Sequence, residues 1–172
     1  MNAINLRKFA VLGVLVIISH HAIGQESVDK EDHSFVLQVG PAVERNLNNK
    51  TSNWGSTVAV EFTPIEDVLE VEVGTTLLNS AGQRELGGEV LFKKPFRLSP
   101  TSELMIGVGP QVGRKLQGAD SGTSIGMAFA LDLMFWPTKK IGWYFSPEYG
   151  YGLGNSKGEK SIGASVGILI SW

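Results

Sequence analysis

The sequence contains no cysteine. Disulfide bridges and thiolate metal sites are therefore excluded. Histidine is nearly as scarce: beyond residue 24 only His33 remains, so there is no imidazole cluster for a metal. Charge of one sign is not in excess either. Lys and Arg total 15, Asp and Glu total 17, and the net charge of −2 gives no electrostatic case for a nucleic-acid partner. Past the N-terminus no apolar run approaches the roughly 20 residues of a spanning helix, and sustained helical periodicity is hard to find. The glycines lie inside extended runs, not between a strand and a helix, so no phosphate loop is present.

What is present begins with a charged and then apolar start. Arg7 and Lys8 precede the short apolar core Phe9 to Ile18, and Ala22-Ile23-Gly24 supplies the small residues of a cleavage site. Residues 1–24 read as a cleaved signal peptide. No cysteine follows the site to carry a lipid anchor, and Met1-Asn2 is not a myristoylation start. Residues 25–33 are polar and read as a flexible periplasmic leader, and residues 34–172 suit one domain. An exported domain of this size without disulfides has to be stabilised in another way.

The rest alternates. Apolar residues recur at every second position in Phe35 to Glu44, Trp54 to Phe62, Val68 to Leu78, Glu85 to Lys93, Glu103 to Gly113, Thr123 to Phe135, Lys140 to Tyr151 and Ser161 to Trp172. Period two is the signature of a strand with unlike faces. The segments "TPIED", "KPFRLSP" and "PTKK" read as tight turns on one side. Asn46 to Asn53, Asn79 to Arg84, Lys115 to Gly122 and Leu153 to Glu159 read as loops on the other. An even number of strands puts both ends of the domain on the tight-turn side.

An eight-stranded meander can close with either face inside. In a soluble lipocalin-like barrel the apolar face points inward, around an apolar ligand. In a membrane barrel it meets lipid. The second face here is glycine, alanine and charge, which suits a narrow interior and could not make an oily core. Aromatics gather at strand ends: Phe35, Phe62, Phe92, Phe135, Trp136, Trp143 and Trp172 toward the tight turns, Trp54, Tyr149 and Tyr151 toward the loops. Two such belts match two membrane interfaces. The expected fold is an all-β, eight-stranded antiparallel up-and-down transmembrane barrel.

Ending on "SVGILISW", the chain resembles the small bacterial outer-membrane β-barrels, in the manner of the outer-membrane protein A transmembrane domain and outer-membrane protein X. The resemblance implies residence in the outer membrane, contact with its lipids including lipopolysaccharide, and a monomer. It also implies recognition of the last strand by the barrel-assembly machinery, with Ile168, Ile170 and Trp172 as the signal. Tryptophan replaces the usual terminal phenylalanine but keeps an aromatic.

Three residue groups stand out as candidate sites. Pro41, Pro110 and Pro147 share the outward parity, and a closed barrel offers proline no free edge. They read as bulges or ladder ends near the rim or as a lateral gap for a lipid tail, the way the lipid A palmitoyltransferase family uses proline-interrupted strands. Glu61, Glu70, Glu72, Lys93 and Asp132 share the inward parity and read as a polar network, with Glu70 facing Lys93 and a cation site as the lesser reading. At the loop rim Lys50, Arg84, Arg114, Lys115, Lys157 and Lys160 outnumber the acids, and Arg114 and Lys115 are candidates to contact lipopolysaccharide phosphates. Enzyme readings fare poorly. His33 and Ser34 are adjacent and would face opposite ways on a strand, and no cofactor is implied. The expected role is structural, lipid-contacting or surface-interactive, without general pore activity. The competing readings are the soluble lipocalin-like binder and a lipid-modifying enzyme with lateral access.

Overall fold

The computed structural model describes residues 35–80, 83–116 and 122–172; the proposed signal peptide, leader and His33 lie outside the described residues. Eight strands form: β1 (Phe35–Asn46), β2 (Ser52–Ile65), β3 (Leu69–Ser80), β4 (Gln83–Ser99), β5 (Ser102–Lys115), β6 (Thr123–Phe135), β7 (Ile141–Leu153) and β8 (Lys160–Ser171). Each pairs antiparallel with its neighbour in sequence, and β1 pairs with β8, so the sheet closes into an up-and-down barrel. Every strand is paired on both sides, so no strand offers a full-length edge to template association.

Period two decides the faces along most of the barrel, with Val71 on β3 an exception, buried between Glu70 and Glu72. On β8, Ile162, Val166, Ile168 and Ile170 are exposed while Leu169 and Ser171 are buried. On β6, Phe129, Leu131 and Leu133 point out while Ala128, Ala130, Asp132 and Met134 are buried. The greasy face is on the outside of the cylinder, and Lys93 and Glu61 are each 1% exposed within it.

Two boundary expectations are corrected. "KPFRLSP" is not a turn: β4 continues to Ser99, and the turn is confined to Pro100 and Thr101. Pro95 sits in the ladder opposite Met105. Beyond Lys93, β4 has no pairing with β3, the one-sided setting in which a strand accepts proline. The overhang is used: Lys94 Nζ donates to the Asp67 carbonyl oxygen at 2.5 Å, and Arg97 lies 3.6 Å from the Asp67 carboxylate. Both steady the β2–β3 turn, where Asp67 adopts a left-handed φ of 55° that aspartate tolerates. On the other side, the loop expected over Asn79 to Arg84 is shorter, because those two residues still pair with each other.

Toward the tight turns the lumen holds an apolar floor that alternation did not reveal. Val36, Met105, Met134, Tyr144 and Leu169 are buried together at the base of the lumen. Trp136, expected in the aromatic belt, instead packs partly buried against this floor. Gly142 makes room for it: a Cβ there would lie 2.9 Å from the indole ring.

Candidate functional site: the lumen and its rim

Above the floor lies an ionic layer. Lys93 Nζ is 2.6 Å from Glu72 Oε2 and 3.1 Å from Glu61 Oε2, and it also pairs with Asp132. Gln38 Nε2 donates to Glu72 at 2.7 Å and to Glu61 at 3.4 Å. Ser146 donates from its hydroxyl to the second oxygen of Asp132. Glu61 and Glu72 are direct cross-strand partners, a like-charge pairing that is unfavourable alone. The ammonium between them turns it into a bridge. Glu70 is the cross-strand partner of Lys93, as its spacing predicts, and is buried; the ammonium nevertheless turns to the other three acids. Oxygens of Glu61, Glu72 and Asp132 lie within 4.8 Å of one another, close enough to hold a cation. Lys93 supplies that charge covalently.

Glycine shapes this layer. Lys93 stands opposite Gly107, Glu89 opposite Gly74, and Gln111 opposite Gly126. A Cβ on Gly107 would come within 2.8 Å of Lys93 Cγ, and one on Gly126 within 2.9 Å of Gln111 Nε2. Each long polar side chain lies flat across a wall with no side chain of its own. Space is thereby left above the ionic layer, a cavity of about 560 Å³ open toward the loops, with Glu44, Glu85, Glu89, Glu148, Gln111 and Lys115 among its lining.

The prolines coincide with breaks in pairing. The β1–β8 ladder skips from Val39↔Ile168 to Ala42↔Ser165, the β4–β5 ladder from Glu89↔Gln111 to Phe92↔Val108, and the β6–β7 ladder from Ala130↔Glu148 to Leu133↔Phe145. Pro41, Pro110 and Pro147 each fall within one break. Register is unchanged across all three, so of the expected bulges or ladder ends these are interruptions of the ladder and not bulges; the register shifts occur elsewhere, one of them between Phe62 and Ile65, where Pro64 lies. The breaks are also not openings of the backbone. A Cβ on Gly40 would lie 2.0 Å from the Val166 carbonyl oxygen, and one on Gly109 1.8 Å from that of Val90. At the third break, the Ser146–Asp132 side-chain bond links the strands.

At the rim, Arg114 and Lys115 part company. Arg114 keeps the outward parity of Val112, whereas Lys115 lines the lumen mouth. Adjacent strand residues face opposite ways, so the two candidate lipopolysaccharide contacts stand on different faces. At the other end, Ile168, Ile170 and Trp172 are all outward, at 56%, 44% and 63% exposure. The Trp172 amide donates to the Phe35 carbonyl oxygen at 3.3 Å.

No family model and no curated protein matches the chain by sequence. Solved structures match by shape. Neisserial surface protein A superposes with a TM-score of 0.69 at 18% identity, covering 81% of this chain and 97% of that one. Ail, the attachment invasion locus protein of Yersinia pestis, in complex with the heparin analogue sucrose octasulfate, gives 0.60 at 14% identity, covering 80% and 97%. The N-terminal β-barrel domain of Pseudomonas aeruginosa OprF gives 0.58 at 14%, covering 81% and 100%. With its greasy exterior, ionic interior and single closed meander, the chain has the fold of the small eight-stranded outer-membrane barrels.

Proposed function

We propose that this chain is a monomeric integral protein of a bacterial outer membrane, exported by residues 1–24 and assembled through its last strand by the barrel-assembly machinery. Its role is structural, lipid-contacting or surface-interactive; it is neither a general pore nor an enzyme. The observation that carries the reading is the contrast between faces. Large apolar side chains such as Ile106, Ile125 and Ile168 are at least half exposed, while Lys93, Glu61 and Asp132 are 1% exposed. Only a hydrocarbon solvent makes that arrangement favourable, because each greasy residue set in water forgoes about 1.5–3 kcal/mol.

A soluble binder of apolar ligands fits poorly, since its lumen would need the greasy face that this barrel turns outward. A lipid-modifying enzyme with lateral access fits poorly too, because glycine backbone fills the breaks at Pro41 and Pro110. The pairing of an apolar floor with a buried ionic layer supports the absence of pore activity. The test is fractionation of cells expressing the full chain, followed by electrophoresis with and without boiling. Recovery with outer membranes and a heat-dependent shift in migration are expected. A folded product released into buffer without detergent would overturn the reading.

A further inference from the structure

On the outer face of β4 and β5, two arginines stand where lipid headgroups would meet the barrel. Arg84 is the cross-strand partner of Asn79, and Asn79 is the partner of Trp54. Trp54 is outward and 68% exposed, and an exposed tryptophan at a strand end marks the membrane–water interface. The row Trp54–Asn79–Arg84 therefore sets the height of Arg84. Arg114 is paired with Leu86, two residues along from Arg84, and the Leu116 amide donates to the Arg84 carbonyl oxygen at 2.7 Å. The arginines are thus diagonal neighbours on one face, with Cβ atoms about 7–8 Å apart or somewhat less. Both are exposed, and among the described residues neither has a carboxylate partner.

Beside and beneath them the surface is greasy. Leu86 is paired with Leu77 and with Arg114 itself, and Val112 is paired with Ile125. All four are outward and exposed. Two guanidinium forks above an apolar patch match a ligand carrying a phosphate on acyl chains. The forks take the phosphate oxygens bidentately, and the patch takes the chains.

We propose that Arg84 and Arg114 clamp the phosphorylated headgroup of a lipid in the leaflet at the loop end, the outer one when the tight turns face the periplasm, with its acyl chains on Leu77, Leu86, Val112 and Ile125. The proposal rests on the outer-membrane reading and adds a defined place and chemistry to it. A free anion would engage the arginines but gain nothing from the patch.

The experiment refolds the full chain into phosphatidylcholine vesicles doped with bisphosphorylated lipid A or with its dephosphorylated form. Lipid retained after detergent extraction is then counted by native mass spectrometry. The bisphosphorylated form should be retained about tenfold better, and Arg84→Gln with Arg114→Gln should abolish that preference, as expected from losing charge-assisted pairs. Arg45→Gln, an exposed change on β1, should leave it intact. Equal retention of both lipids, or an unchanged preference in the double variant, would overturn the clamp. So would complete displacement of the lipid by millimolar inorganic phosphate, since the site would then serve a free anion. The same samples are run with and without boiling. A chain that never inserts counts against the membrane reading, whereas an inserted barrel without the preference counts against the clamp alone.

Discussion

Lys93 on β4 reaches past β5 to pair with Asp132 on β6. The strand between them contributes Gly107, partner of both Lys93 and Ala130. Without a side chain there, the lysine stem lies along the wall, and its ammonium meets carboxylates from β2, β3 and β6 at once. A local feature of β5 thus determines which strands are tied together.

Removing that cation should be severe. Lys93→Met leaves three buried carboxylates without a counter-charge, and breaking a buried ionic set costs about 3–5 kcal/mol. Urea unfolding of the refolded protein in vesicles should show the loss. Neutralising the acids as well, with Glu61→Gln, Glu72→Gln and Asp132→Asn, should restore most of it. A quadruple variant no more stable than Lys93→Met would mean the effect is one of packing and not of charge.

The glycines should divide into two classes. A Cβ on Gly109 would lie 1.8 Å from a backbone oxygen, whereas one on Gly87 would meet nothing nearer than 3.6 Å. Gly109→Ala is expected to block barrel formation or cost more than about 3 kcal/mol, a size associated with overpacking. Gly87→Ala should be near neutral. Boil-dependent migration ranks them directly, and similar yields for both would count against the close approach of β4 and β5.

Conductance should depend on the floor. The wild-type protein in a planar bilayer should show no stable steps, and Lys93→Met alone should not introduce them, because the floor lies below the ionic layer. Joint replacement of Met105, Met134 and Tyr144 by alanine should. Steps in the Lys93→Met variant with the floor intact would place the barrier in the ionic layer instead.

The last residue should matter to assembly more than to stability. Trp172→Phe is expected to fold into vesicles carrying reconstituted assembly machinery at close to the wild-type rate, and Trp172→Ala several-fold more slowly. Equal rates for the two variants would remove the terminal aromatic from the signal.

Which parts of this molecule are legible from sequence follows from how alternation works. On β8 the Ser–Ile–Gly–Ala–Ser–Val order separates the faces, and the large outward residues it predicts, Ile162 and Val166, are the exposed ones. The inward acids are legible for the same reason. The floor was not. Val36, Met105, Met134 and Leu169 each sit between two apolar residues, in "FVL", "LMI", "LMF" and "ILI". In a continuous apolar triplet a period of two carries no contrast, so the middle residue's inward direction leaves no trace. Trp136 was misplaced because it follows β6 directly, where parity no longer governs. The proline breaks were visible as positions, but whether a break bends or merely interrupts a ladder depends on how closely the strands approach, and beside Pro41 and Pro110 that approach is set by Gly40 and Gly109.

The lumen is packed with apolar side chains toward the tight turns and hollow toward the loops. On the proposed reading without pore activity, whatever enters beside Glu89 and Glu148 departs by the way it came, and the hollow samples a single compartment.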